Sequence, residues 1–403
     1  MLRILIAAFL LMIGGLSVAQ ARPAPRAKPP VTILISIDGF RADYLTRGIT
    51  PRLSALAAKG SYASMRPSFP SVTFPNHYAI VTGKRPDNNG IVSNRFEDPT
   101  KPGMVFTMAS AEPFWWSQAE PIWTTAEKAG VRTATMFWPG SNIGQNGVRP
   151  SDWHFYAKDN NARQRVDSII DWLRRPAATR PRFLTLYFED VDSAGHEFGP
   201  DDARTNASVT AVDSAIGRLS DELALLRQPA NLIIVSDHGM AATSPDRLIK
   251  LYEIADPADY RFIYGGAYGT IDAVPGREEA LAAKLLAPHP HMKCYRKADL
   301  PPALHYGKNP RIAAFVCVVE SGWLLFGSPP APDRPVLAGG AHGYDPATPD
   351  MAALFIASGP AMRRGVQLKP FDNVDVYPLI ARLIGVAPLT SDASLETLKL
   401  LIK

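Results

Sequence analysis

The chain has 403 residues, 46% hydrophobic and 20% charged, which is ample for a buried core. Its formal net charge of +5 is small and its basic residues are scattered, which argues against a nucleic-acid-binding surface. It holds 2 cysteines, Cys294 and Cys317, too few for a four-thiolate zinc site, so any metal must rest on Asp and His.

Residues 1–21 read as a secretory signal peptide. Arg3 precedes the apolar run from Ile4 to Leu11, and Ala19-Gln20-Ala21 supplies a cleavage site. Gly14 and Gly15 break the run, which argues against a membrane anchor. Residues 22–30, rich in Pro, Ala and Arg, read as a flexible tether. The expected address is exported, periplasmic or secreted, with no transmembrane segment left after cleavage. Export permits a disulfide between the cysteines, and two isolated core thiols fit equally well.

From residue 31 onward, short apolar runs alternate with helical patterns. Val31–Ile37, Arg182–Phe188, Leu232–Ser236 and Met351–Ala357 lack polar alternation, as expected of strands buried on both faces. Thr50-Pro51 opens a helix with Leu53, Leu56 and Ala57 on one face and Gly60 as its stop. Thr205–Leu226, ended by Pro229, and Val374–Ile384, closed by Gly385, read as further helices. Pro75 fits the first position of another helix running through Ala79-Ile80-Val81. The predicted fold is α/β: a mostly parallel central sheet with helices on both faces. Residues of about 247–340, with many Pro, Gly and Tyr, read as a β-rich insert within one catalytic domain spanning 31–403.

Polar residues follow the strand ends. Asp38 follows the first strand, Asp190 and Asp192 the second, and Asp237 and His238 the third. His196 lies in Asp192-Ser193-Ala194-Gly195-His196, and His342 stands where the chain returns from the insert. Ligands of open α/β sheets bind at the carboxyl ends of the strands, so these distant residues can meet there. Each alone could be a turn or cap residue. Together their carboxylate and imidazole donors suit zinc, and two metals suit in-line phosphoryl displacement. Thr73 would lie at a helix N-terminus, where it is either a metal-activated nucleophile or an ordinary N-cap. The residues alone leave both open.

The motifs resemble those of the nucleotide pyrophosphatase/phosphodiesterases of the alkaline phosphatase superfamily, in their compact bacterial form. They are Ile37-Asp38-Gly39-Phe40-Arg41, Thr73-Phe74-Pro75-Asn76-His77-Tyr78, Gly90-Ile91-Val92-Ser93-Asn94 and Phe137-Trp138-Pro139-Gly140. Asp192–His196 with Gly199-Pro200, Ser236-Asp237-His238-Gly239-Met240 and Ala341-His342-Gly343-Tyr344 complete the set. The resemblance implies two zinc ions per chain. Asp192, His196 and His342 would hold one; Asp38, Asp237, His238 and the Thr73 oxygen would hold the other. It implies that Thr73 attacks phosphorus, that Asn94 and the Thr73 amide bind a phosphate oxygen, and that a nucleoside 5′-monophosphate leaves. Phe74 and Tyr187 would sandwich the base, with Trp138 lining the same pocket. Several animal members carry Lys before the nucleophile, whereas Val72 stands here.

His289 and His291 near Cys294 read as a surface loop, and His77, His154 and His305 as structural. Competing activities are cleavage of choline phosphodiester headgroups and Thr-dependent phosphomonoester hydrolysis. A sulfatase is excluded because no Cys or Ser stands in a C/S-x-P-x-R pattern at the nucleophile position. A binding protein with a decayed site is disfavoured, because every expected ligand type is present.

Overall fold

The computed structural model describes residues 28–403 apart from 332, 334 and 335. The expected signal peptide, residues 1–21, lies outside the described residues, as does the tether as far as residue 27. Lys28 and Pro29 are hydrogen-bonded to the rest of the chain: Lys28 Nζ donates to the Leu226 carbonyl at 2.8 Å, and Gln228 Nε2 to that of Pro29 at 2.9 Å. No described helix is long and apolar enough to cross a membrane.

The principal strands in chain order are β1 (Val31–Ile37), β2 (Ser61–Arg66), β3 (Thr133–Met136), β4 (Phe183–Phe188) and β5 (Ala230–Val235). They continue with β6 (Tyr260–Tyr264), β7 (Tyr268–Ala273), β8 (Met292–Arg296), β9 (Phe315–Val319) and β10 (Ala353–Ser358). The helices that matter here are α1 (Pro51–Lys59), α2 (Thr73–Thr82), α3 (Ala162–Arg174), α4 (Asp190–Phe198), α5 (Ala203–Leu225), α6 (Glu278–Leu285) and α7 (Val376–Ile384).

The central sheet runs β2-β10-β5-β1-β4-β3, with short strands at its edges. β1 pairs parallel with β4 and β5, and β4 with β3. β10 alone among these six is reversed, antiparallel to both β2 and β5. All seven residues of β1 are buried. Leu34 packs into one apolar cluster and Ile33, Ile35 and Ile37 into another, so both faces are covered. The expected mostly parallel sheet between helical layers is what forms.

Local chemistry explains several helix boundaries. α1 has Thr50 at its N-cap and Pro51 at its first position, as expected. Its free amides are met from a distance, by the Asp213 carboxylate accepting from Arg52 N at 3.1 Å and Leu53 N at 2.7 Å. α3 carries a capping box between Asn161 and Gln164. α2 begins at Thr73, two residues before the expected start at Pro75. Proline is tolerated there because a first-turn amide has no intrahelical acceptor. Val72, not Thr73, is the N-cap, so the reading of Thr73 as an ordinary cap is excluded.

The insert forms its own antiparallel sheet in the order β6-β7-β9-β8, with α6 against it. Cys294 and Cys317 face each other across β8 and β9 and are disulfide-bonded, which closes the alternative left open above. The chain returns by pairing Gly339–Ala341 antiparallel to Ala241–Thr243. His289 is half-buried and His291 exposed; His291 binds Glu320 at 2.7 Å and stacks on Trp323. They form no metal cluster among the described residues.

Candidate active site and metal centre

The carboxyl ends of β1, β4 and β5 lie side by side, with Ile37 paired to Phe188 and Ser36 to Val235. That register sets Asp38 between the α4 start and the Asp237-His238 turn. Gly39, at φ +67°, permits the approach: a Cβ there would lie 2.9 Å from Asp192 Cα. α4 then presents Asp192 and His196 four residues apart on one face. α2 enters from the end of β2 and brings Thr73 to the same edge.

Six of the predicted ligands form two clusters, Asp192–His196–His342 and Asp38–Asp237–His238. In the first, His342 Nε2 lies 3.1 Å from His196 Nε2 and 3.6 Å from Asp192 Oδ1. In the second, His238 Nε2 lies 3.4 Å from Asp38 Oδ1 and 3.0 Å from Asp237 Oδ2. Thr73 Oγ1 joins this second cluster at 3.4 Å from His238 Nε2. The stacked rings of His238 and His342, 3.5 Å apart, connect the two.

The donor set fits metal ions. Asp38 Oδ1, Asp192 Oδ1 and Asp237 Oδ2 are buried with no hydrogen-bond partner, an unfavourable state unless a cation meets them. Their sister oxygens on two of these residues are committed. Asp38 Oδ2 accepts from the Tyr187 hydroxyl at 2.6 Å, and Asp237 Oδ1 from Gly39 N at 3.2 Å. Each histidine is pinned through Nδ1 to a carbonyl: His196 to Gly340, His238 to Gly239 and His342 to Ser71, all within 2.9 Å. A carbonyl only accepts, so Nδ1 carries the proton and Nε2 keeps its lone pair for a metal. Burial, then the nearby Asp237 and Asp192 charges, raise the Asp38 carboxyl well above its ordinary value. Burial and the neighbouring imidazoles of His238 and His196 push His342 well below its own. The second cluster is buried and meets the cavity through Asp38 and Thr73, whereas 44% of the His196 side chain is exposed, so the first opens more widely to it.

That cavity, of about 870 Å³, is lined by Thr73, Phe74, Asn94, Trp138 and Tyr187, all named by the sequence. Asn94 Oδ1 accepts from Phe74 N at 2.9 Å, which orients its amide at the start of α2. Trp138 is only 4% exposed and donates to the His77 carbonyl at 3.1 Å, so it acts chiefly as a wall. The Tyr187 hydroxyl is held by Asp38 and its ring sits edge-on to His77, so Tyr187 is tied into the second cluster.

Three residues at the site were not placed there by the sequence. Tyr156 lines the cavity and is 54% exposed, edge-on to Phe137 and Tyr187. The aromatic run Trp153-His154-Phe155-Tyr156 was its signal. His77, read as merely structural, is fully buried between Ser36 Oγ at 2.8 Å, the Thr73 carbonyl at 2.9 Å and Asp237 Oδ2 at 3.3 Å. It therefore positions both Thr73 and Asp237. His154 also lies on the cavity wall, stacked on Trp172.

The family model for type I phosphodiesterase / nucleotide pyrophosphatase matches residues 32–345. An uncharacterized pyrophosphatase/phosphodiesterase of Schizosaccharomyces pombe is 38% identical, over 90% of this chain and 79% of that protein. The bis(5′-adenosyl)-triphosphatase of Xenopus laevis is 36% identical, over 96% and 85%. Among solved structures, inactive murine ectonucleotide pyrophosphatase/phosphodiesterase 5, a threonine-to-alanine variant in complex with AMP, superposes with a TM-score of 0.87. It is 30% identical, and the match covers 92% of this chain and 100% of that one. The chain belongs to the type I phosphodiesterase / nucleotide pyrophosphatase family, metal-dependent hydrolases of nucleotide phosphodiester and pyrophosphate bonds.

Proposed function

We propose that this chain is an exported two-zinc enzyme that cleaves nucleotide phosphodiesters and pyrophosphates through a covalent nucleotidyl-Thr73 intermediate, releasing nucleoside 5′-monophosphates. The observation that carries this is the convergence of three unpartnered carboxylate oxygens and three pinned imidazoles beside one buried threonine hydroxyl. Asp192, His196 and His342 would hold one ion, and Asp38, Asp237, His238 and Thr73 the other. Two zinc ions, when bound, supply positive charge at the entering and leaving oxygens of an in-line displacement.

The protein's own groups do the rest. Thr73 Oγ1 forms the bond to phosphorus as the leaving-group oxygen departs; water then attacks the same phosphorus and returns the Thr73 hydroxyl. The Thr73 N–H is the first amide of α2, free of any intrahelical acceptor and favoured by the helix dipole for an anionic oxygen. With Oδ1 bound to Phe74 N, the Asn94 amide nitrogen is the donor left for that same oxygen. Phe74, braced by Phe106 and Trp116, and the exposed Tyr156 offer faces for a base, with Tyr187 at the back of the slot. Stacking on such faces tolerates any base.

Among the described residues Lys158 is the single Lys or Arg lining the cavity, which favours a diester over a dianionic monoester. The Cys294–Cys317 disulfide and the leader pattern support an oxidising, exported address. The test is kcat/KM on aryl esters of a nucleoside monophosphate, phosphorylcholine and phosphate, with Thr73→Ala alongside. The nucleotide ester should dominate, and Thr73→Ala should lower turnover by at least about a thousandfold while the protein stays folded. Dominance of the phosphate monoester, or full activity in Thr73→Ala, would refute the proposal.

A further inference from the structure

The catalytic cavity extends beyond the Asp192–His196–His342 cluster to a wall supplied by the insert, made of Tyr264, Gly265, Gly266, Ala267 and Leu324. None of these has a role in the site described above. The wall stands close to the reacting centre. A Cβ on Gly343, next to His342, would touch both Ala267 Cβ and Val72 Cγ1 at 3.2 Å. Val72 directly precedes Thr73. Tyr264 is near enough to Asp192 for that charge, after burial, to help push its phenol up to about 12.

The wall is flat and fixed. Tyr264 is half-buried and braced by Tyr268, ring centroids 4.9 Å apart. Gly265 has no room for a side chain, since a Cβ would lie 2.3 Å from the Phe262 ring. Gly266, at φ +108°, would meet nothing within 4 Å, so the surface above it stays open. Gly266 and Leu325 exchange two backbone hydrogen bonds of 2.9 and 2.8 Å, which anchor this turn to the strand Leu324–Phe326. Tyr264, Gly265, Gly266, Ala267 and Leu324 carry no charge, so this wall offers an aromatic face and aliphatic surface.

In-line displacement expels the leaving group opposite the attacking oxygen. Thr73 Oγ1 sits on the His238 side, so the departing group faces the Asp192–His196–His342 cluster and the insert wall. We propose that Tyr264, with Gly265, Gly266 and Leu324, forms a leaving-group subsite selecting esters whose departing group carries a planar aromatic ring, as an aryl alcohol or a second nucleobase-bearing unit does. The proposal rests on the Thr73 reading.

The test uses the zinc-loaded full chain and two esters of thymidine monophosphate, para-chlorophenyl and hexafluoroisopropyl, whose alcohols have similar acidity. Stacking predicts roughly a tenfold kcat/KM preference for the aryl ester. Tyr264→Ala and Tyr264→Leu should bring that ratio close to one, and Tyr264→Phe should keep it. In a Thr73→Ala background, calorimetry reads binding without turnover. There Tyr264→Ala should weaken the aryl ester about tenfold and the fluoroalkyl ester far less. Equal rates for the two esters in the wild type, or a ratio indifferent to Tyr264→Ala and Tyr264→Leu, would overturn the subsite alone. Cleavage of neither ester by the wild type would bring down the Thr73 reading and this inference with it.

Discussion

Replacing Arg311 with methionine should destabilise the protein by about 3–5 kcal/mol and impair catalysis, although Arg311 touches no predicted metal ligand. Arg311 belongs to the insert and is 4% exposed. Its Nε donates to Asp98 Oδ2 at 2.7 Å, its Nη1 to the carbonyls of Gly90 at 2.8 Å and Trp115 at 2.7 Å, and its Nη2 to that of Phe114 at 3.2 Å. Methionine keeps the apolar stem but strands the Asp98 carboxylate, itself 6% exposed, with only the Thr100 hydrogen bonds left. An unfolding entropy of about 2.1 cal/mol/K per residue over roughly 370 residues gives about 0.8 kcal/mol/K, so a loss of about 4 kcal/mol lowers Tm by about 5 °C. Gly90 begins the loop that ends at Asn94, so kcat/KM on a nucleotide aryl ester should fall by about tenfold as the Asn94 amide loses its fixed position. Burial opposes ionisation of Asp98, but hydrogen bonds from Thr100 and Arg311 outweigh it and hold the carboxyl below its ordinary value. A lowered carboxyl stabilises above its unfolded pKa, and that gain is lost as pH falls through the folded value. The Tm gap between wild type and Arg311→Met should therefore narrow in acid. Thermal melts of the zinc-saturated proteins across pH provide the check. A Tm change below about 1 °C with unaltered kcat/KM would show that the insert does not brace the Asn94 loop through this residue.

Chelation should abolish activity and lower Tm, because Asp38, Asp192 and Asp237 then hold buried oxygens without a counter-charge; zinc should restore both, and indifference to chelator would refute a metal site. Tyr187→Phe removes the 2.6 Å hydrogen bond to Asp38 and should weaken zinc affinity by about 10–100-fold, read by competition with a chromogenic chelator. Tyr156→Ala should raise KM for nucleotide esters by about tenfold with little change in kcat, the mark of a lost ground-state stacking contact. An unchanged KM would return the base slot to Phe74 and Tyr187 alone.

The sequence was most legible where one physical constraint dominates. Strands covered on both faces are continuous apolar runs, so β1 was readable to the residue and β4, β5 and β10 to within two. Of the six candidate Asp and His ligands, Asp38, Asp192, Asp237 and His238 stood out because they follow those runs, and position at a strand end is a sequence property. β3, Thr-Ala-Thr-Met, is four residues without a strong apolar signal; it is a strand because β4 pairs with it. α4 contains Ser, Gly and two Asp residues, poor helix formers in an interior, and was not among the expected helices. Its helical form is what puts Asp192 and His196 on one face, so metal geometry and helix identity could not be separated beforehand. The redundancy of aromatic residues explains the incomplete base slot. Phe74, Trp138, Tyr156 and Tyr187 all line one cavity, and only the hydrogen bonds of Trp138 and Tyr187 distinguish wall from open face.

His77 shows why a motif conveys more than its ligands. An imidazole can bridge a hydroxyl and a carbonyl at once, and here it joins Ser36 of β1 to the Thr73 carbonyl in the first turn of α2. The same Nδ1 edge lies 3.3 Å from Asp237 Oδ2, an oxygen that turns toward the second cluster. The chain segments bearing Thr73 and Asp237 are thereby locked to one side chain that touches no cavity surface, 0% exposed. Neither glutamine nor asparagine reproduces a planar ring with donor and acceptor at that separation. The insert acts comparably from the other side: Tyr268 reaches Ser93 Oγ at 2.5 Å and Tyr306 the Val92 carbonyl at 2.9 Å, next to Asn94. Thr73 and Asn94 are thus held from opposite directions by groups remote in sequence. That suits the proposed in-line chemistry, which needs the attacking oxygen and the phosphate donors fixed relative to each other more than either needs to be fixed alone.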